Sequence, residues 1–249
     1  MHRRLPPMPD AQATAPPRVA VVLRHERMAH LGNLEPVLLA EGFDVRYVDV
    51  AEGADLPADA SAADLVVVLG ASAGVYEVER YPFIRAELAF VRSRLDAKRP
   101  TLGVCFGSQV MAASLGAMVS PGSTVQVGFR PVVPTDAGAS SAVRHFSGVP
   151  VLQWHGDTFT LPAGATRLAG SSDYANEAFA IEDWAMALQF HPEITADMHD
   201  EWLDSDEEYV RGAGYDPAVL RDDYGRLGPD MRRASESFLT EWLRGLPTA

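Results

Sequence analysis

The chain has 249 residues, 47% of them apolar, enough for one large α/β domain or two small ones. With 34 acidic against 21 basic residues the net charge is -13, which repels phosphate backbones and anionic lipid, so neither nucleic acid nor a membrane is an expected partner. A single cysteine makes no internal disulfide, the leading segment holds no signal-type apolar run, and no stretch reaches the roughly 18 to 20 apolar residues of a bilayer span; a cytoplasmic location is expected.

Residues 1–17, rich in proline and alanine, read as a disordered lead-in. RVAVVLR (18–24) has strand length, LGNLEPVLLAEGF (31–43) has helical spacing closed by Gly42, and FDVRYVDV reads as a second strand. DLVVVLG (64–70) is a fully apolar strand running into a glycine loop, the pattern of a parallel sheet covered on both faces. Ile84, Leu88, Val91 and Leu95 then fall on one helical stripe that Pro100 ends. TLGVC, a strand, leads straight into the helical FGSQVMAASLGA.

Strand and helix alternate over 18–118, which predicts a single doubly wound, mostly parallel sheet with helices on both faces. Segments 124–134, 143–153, 166–170 and 178–190 are short and β-leaning and predict an antiparallel addition to that sheet. The acids between Asp197 and Glu208 read as solvated surface, and Met231, Ala234, Phe238 and Trp242 share a helical face that packs on the body. The expected organisation is thus a lead-in at 1–17, one domain at 18–195, and a helical C-terminal extension at 196–249.

Cys105 stands at a strand-to-helix junction with Gly103 two residues before it and Gly107 two after. Small residues there permit a strained elbow that lifts the side chain to the sheet edge, where a helix N-terminus favours thiolate. A small buried residue closing a strand fits the elbow equally well. His191-Pro192-Glu193 shifts the balance: proline keeps the segment extended, so residues 191 and 193 emerge on one side, the carboxylate holding the imidazole. That motif alone is also compatible with a structural turn; together the two supply nucleophile, base and orienter. His155 is the competing base, but Asp157 beside it reads as structuring the loop, so His191 is preferred. His199 lacks companions at metal-ligand spacing, and His2, His25, His30 and His145 have no evident chemical company.

With these marks the sequence resembles the class I glutamine amidotransferases, the triad-type glutaminase domains related to that of guanosine monophosphate synthetase. The resemblance spans most of 18–195 and is carried by Gly70-Ala71-Ser72 with Val75-Tyr76-Glu77, Gly103 to Gln109, Gln153-Trp154-His155-Gly156-Asp157, Asn176-Glu177-Ala178-Phe179 and Gln189-Phe190-His191-Pro192-Glu193. It implies a Cys105, His191, Glu193 triad, an oxyanion hole from backbone N–H groups of the 70–71 loop (Gly70, Ala71) and Phe106, and glutamine contacts from Gln109 and from main-chain groups around Trp154 to Asp157. Two positions depart from the family pattern: Ala71-Ser72 replaces Gly-Pro, at a cost of about 1 kcal/mol if Ala71 takes a positive φ, and Glu177 stands where relatives often have glutamine.

The chemistry implied is attack of Cys105 on the glutamine side-chain amide, a γ-glutamyl thioester, and release of glutamate and ammonia, with neither metal nor organic cofactor required. The roughly 50 residues after Glu193 are too few for a synthase domain. The ammonia therefore goes to a separate synthase subunit, or the substrate is another γ-glutamyl amide, of an amine or a peptide. A catalytically idle regulatory module is the alternative of another class; the cysteine chaperone-hydrolases also carry an elbow cysteine but lack His-Pro-Glu.

Overall fold

The computed structural model describes residues 18–247; the expected lead-in at 1–17 lies outside the described residues. Strand β1 (Arg18–Arg24) is followed by a 3₁₀ turn (Gly32–Leu34) and a short helix α1 (Glu35–Ala40), then by β2 (Phe43–Asp49) and β3 (Leu65–Val68). The predicted 31–43 helix is shortened from both ends. Gly32 has φ 45° and opens with a 3₁₀ turn, Pro36 sits in the first turn of α1, and Gly42, at φ 82°, ends it. Helix α2 (Phe83–Asp96), β4 (Thr101–Val104) and α3 (Phe106–Ser114) complete the first half.

The second half consists of β5 (Val119–Arg130), β6 (Val133–Pro134), α4 (Asp136–Ala139), a 3₁₀ turn (Ala142–Phe146), β7 (Val151–Phe159), β8 (Thr166–Gly170), β9 (Ala178–Ile181) and β10 (Ala185–Leu188). Three helices end the chain, α5 (Ala196–Ser205), α6 (Glu207–Gly212) and α7 (Pro217–Gly245). Eight strands form one sheet in the order β2-β1-β3-β4-β10-β9-β8-β6, and β5 and β7 form a separate antiparallel pair. The doubly wound, mostly parallel sheet is as the alternation predicted.

The second half supplies the expected antiparallel addition, β9, β8 and β6 at one edge of the sheet and the separate β5–β7 pair, with one parallel strand within it. Segment 178–190 is a hairpin turning at Glu182, which has φ 50°, and its returning strand β10 pairs parallel with β4. An apolar run such as AMAL fits a strand buried on both faces but does not reveal the direction of its neighbour. Segment 143–153 begins as the 3₁₀ turn, capped by the Ser141 hydroxyl, and becomes strand only at Val151.

Period-two alternation sends Ala20, Val22, Leu65 and Val67 to one face of the sheet and Val21, Leu23, Val66 and Val68 to the other. The first face is covered by α1 and α7, through buried Met231, Ala234, Phe238 and Trp242; the second by α2 and α3. Among the described residues no helix is long and apolar enough to cross a membrane. The parallel strands β3, β4 and β10 all end at one edge, and the candidate residues gather there.

Candidate active site

Cys105 is the single residue between β4 and α3, with φ 51° and ψ -110°. A non-glycine residue there costs about 1–2 kcal/mol, and the surroundings hold it in place. Its N–H donates to the Leu188 carbonyl at 2.8 Å, and its carbonyl accepts from the Ser108 N–H at 2.9 Å and the Ser108 hydroxyl at 2.6 Å. The flanking glycines are obligatory: a Cβ on Gly103 would stand 2.6 Å from the Gly107 carbonyl oxygen, and one on Gly107 would stand 2.0 Å from that of Val68. The turn therefore presents Sγ at the start of α3, 3.7 Å from the amide nitrogen of Gln189.

His191 follows β10, the strand paired with β4, and so reaches the same edge. Its Nδ1–H donates to Glu193 Oε1 at 2.7 Å, and both side chains are buried. The bond fixes the tautomer and leaves Nε2 without a partner among the described residues. A Cβ on Gly70 would stand 3.2 Å from His191 Cε1 and 3.8 Å from Cys105 Cβ, so the histidine, the cysteine and the 70–71 loop meet at one point. Burial lowers the proton affinity of His191, but the Glu193 carboxylate and the neighbouring Cys105 raise it further, to a pKa of about 10. His155, by contrast, has both nitrogens engaged, Nδ1 with the Asp157 carbonyl at 2.9 Å and Nε2 with Gln153 at 3.0 Å, and burial pushes it down to about 4.

Ala71 is absent from the residues with positive φ, so alanine at this position carries no left-handed strain. The N–H groups of Ala71 and Phe106 make no backbone hydrogen bond among the described residues, and both residues line one cavity with Cys105. Gln109, Trp154 and Asp157 line it too, although the Gln109 amide donates to Gln189 at 3.2 Å. Glu177 is fully buried and receives a hydrogen bond from Gln153 at 3.1 Å. Burial raises its carboxyl toward the neutral form, which has the size and shape of a glutamine amide.

The cavity, about 680 Å³, also holds residues that the sequence concealed. Asp206 reads as part of a solvated acidic run, yet it is half-buried in the cavity wall and accepts from the Trp154 indole at 3.3 Å. Tyr209 lines the wall as well, and across the mouth the Tyr76 hydroxyl donates to Asp157 at 3.3 Å. Among the described residues no lysine or arginine lines this space.

Three of the histidines expected to lack company do have partners. His25 is buried against Glu87, its Nε2 at 3.0 Å and 3.1 Å from the two carboxylate oxygens, and its Nδ1 lies 3.0 Å from the Gly70 carbonyl. His145 pairs with Glu241 at 2.8 Å and His30 accepts from the Gly32 N–H at 3.1 Å, while His2 lies outside the described residues. Each carboxylate partner is more than sixty positions away, beyond the reach of local pattern.

The sequence model of the glutamine amidotransferase class-I family matches residues 31–206. The chain belongs to the class-I glutamine amidotransferase family. It is 30% identical over 161 residues to the glutamine amidotransferase-like protein YfeJ of Salmonella typhimurium, covering 63% of this chain and 67% of that one. It is 32% identical over 150 residues to a glutamine-hydrolysing GMP synthase of Porphyromonas gingivalis, a match covering 59% of this chain but only 28% of the synthase. A glutamine amidotransferase crystal structure from Thermotoga maritima superposes with a TM-score of 0.83 at 31% identity, covering 92% of this chain and 99% of that one.

Proposed function

We propose that this family member hydrolyses the side-chain amide of glutamine in the cytoplasm, with Cys105 as nucleophile, His191 as acid and base, and Glu193 as its orienter. The observation that carries the reading is the pairing of a positive-φ elbow cysteine with an imidazole whose Nδ1 is committed to Glu193 at 2.7 Å and whose Nε2 is free. Sγ attacks the carboxamide carbon, and the N–H groups of Ala71 and Phe106 receive the developing oxyanion. The protonated His191 then delivers its proton to the departing ammonia, leaving a γ-glutamyl thioester on Cys105. Water, deprotonated at Nε2, attacks the thioester and releases glutamate. Asp157 takes the α-ammonium end of the substrate, and Gln109 lies along its side chain.

The released ammonia passes to a separate synthase subunit; the matched GMP synthase is a longer chain, of which the match covers 28%. One feature favours a second substrate reading: a cavity of about 680 Å³, lined by Asp157 and Asp206 and, among the described residues, by no lysine or arginine, exceeds what glutamine needs and suits a γ-glutamyl amide of a cationic amine. Ammonia or amine release measured across glutamine and γ-glutamyl amines, with and without cell extract, separates the two. An electrophilic glutamine analogue should add its mass to Cys105; an unmodified cysteine after full incubation would remove the proposal.

A further inference from the structure

His25 and Glu87 have no place in the proton transfers proposed above, yet they are buried to 1% and 0% side-chain exposure directly behind the 70–71 loop. Burying a charged pair costs several kcal/mol unless its geometry is well satisfied. Here it is satisfied on every side that bears on His25. Glu87 and the Gly70 carbonyl are both acceptors, so both ring nitrogens of His25 carry a proton.

What His25 holds is the carbonyl of the peptide joining Gly70 to Ala71. In a trans peptide the C=O and N–H point to opposite sides, and there are no cis bonds among the described residues. Drawing the Gly70 carbonyl toward His25 therefore turns the Ala71 N–H away from it, on a residue that lines the Cys105 cavity. The same imidazole packs edge-on against Phe106, ring centroids 5.0 Å apart, and so touches the residue that offers the second N–H. Glu26 ties down the far end of the loop by accepting the Ser72 N–H at 2.8 Å. The loop is thus fastened on either side of the Ala71 N–H, which makes no hydrogen bond among the described residues.

We infer that His25, clamped by Glu87 and hydrogen-bonded to the Gly70 carbonyl, is a positioning residue that sets the oxyanion hole by orienting the Gly70–Ala71 peptide. The inference rests on the glutaminase reading of the site. Burial lowers the proton affinity of His25, but Glu87, the Gly70 carbonyl and the more distant Glu26 together raise it above the ordinary histidine value, in the direction that favours the doubly protonated ring the two acceptors call for.

The test compares two reactions of Cys105. Glutamine hydrolysis passes through an oxyanion; alkylation by iodoacetamide is a displacement at a saturated carbon and forms none. His25→Leu should lower kcat for glutamine about 10- to 100-fold, somewhat less than removing an oxyanion donor outright, with KM and the alkylation rate within about threefold. The double variant His25→Leu, Glu87→Leu removes the unpaired carboxylate as well and should show the same kcat loss in a folded protein. His25→Asn, whose amide N–H₂ sits near the position of Nδ1, should recover at least half of the loss on a logarithmic scale. Either leucine variant folded with kcat within threefold of wild type overturns the inference, as does a parallel fall in alkylation and kcat, or an asparagine variant no better than leucine. Absence of ammonia release from the wild-type chain would instead remove the glutaminase reading and this inference with it.

Discussion

His191 and His25 are both buried imidazoles beside a carboxylate, and they flank the same loop from opposite sides, yet they are wired differently. His191 spends one nitrogen on Glu193 and leaves the other free toward Cys105; His25 spends both, on Glu87 and on the Gly70 carbonyl. A free nitrogen can exchange a proton with a substrate, whereas a saturated one can only hold geometry. The carboxylate plays the same part in both pairs, fixing the ring and favouring its charged form, so it is the second nitrogen that separates chemistry from scaffolding.

The sharpest way to break that comparison is to remove the groups on the reactive side. Cys105→Ala should reduce ammonia release from glutamine by at least about 10⁴-fold, because no other group can form the thioester. Its melting temperature should stay within a few degrees of wild type or rise, since alanine is no worse in a strained turn. His191→Gln should lose about 10³- to 10⁴-fold in kcat, measured under saturating glutamine. Glu193→Gln keeps the shape but no longer selects the Nδ1–H tautomer or stabilises the imidazolium, and a loss of about 10²-fold or more is expected.

The pH dependence of stability tests the same pair without any substrate. His191 is raised in the folded protein from 6.5 to about 10, so its contribution is fully present below pH 6.5 and disappears as pH rises through about 10. The melting-temperature gap between wild type and Glu193→Gln should therefore be widest near pH 6 and close toward pH 10; a gap that widens with pH would contradict the assignment. The smallest effect is expected at the cavity mouth. Tyr76→Phe removes one hydrogen bond to Asp157, and at about 0.5–1 kcal/mol for such a bond KM should rise two- to fivefold with kcat unchanged.

The elbow and the His-Pro-Glu segment were legible in the sequence because each is a local arrangement. Gly103 and Gly107 flank the cysteine by two positions, and proline dictates the conformation between His191 and Glu193. The parallel core was equally legible from its apolar strands. What escaped depended on distance along the chain. His25 meets Glu87 across 62 positions, so nothing around either residue announced the pair. Asp206 looked like solvated surface, and nothing singled out Tyr209, because local charge density does not reveal that the start of α6 lies against the cavity. The direction of β10 was concealed for the same reason: the sequence of a strand shows that it is buried, not which neighbour it lies beside.

That direction has a consequence for how the protein fails on heating. Because β10 runs parallel to β4, the residues that lead to the cysteine and to the histidine are joined by main-chain hydrogen bonds, with Val104 facing Leu188 and the Cys105 amide bonded to the Leu188 carbonyl. The strand ends from which Cys105 and His191 project are then held about one strand spacing, roughly 4.8 Å, apart by the centre of the sheet rather than by a loop. Amide hydrogens along this seam should be among the last to exchange with solvent, and the pair should part only when the whole sheet gives way. Thermal loss of Cys105 reactivity and thermal loss of the fold should accordingly trace a single curve.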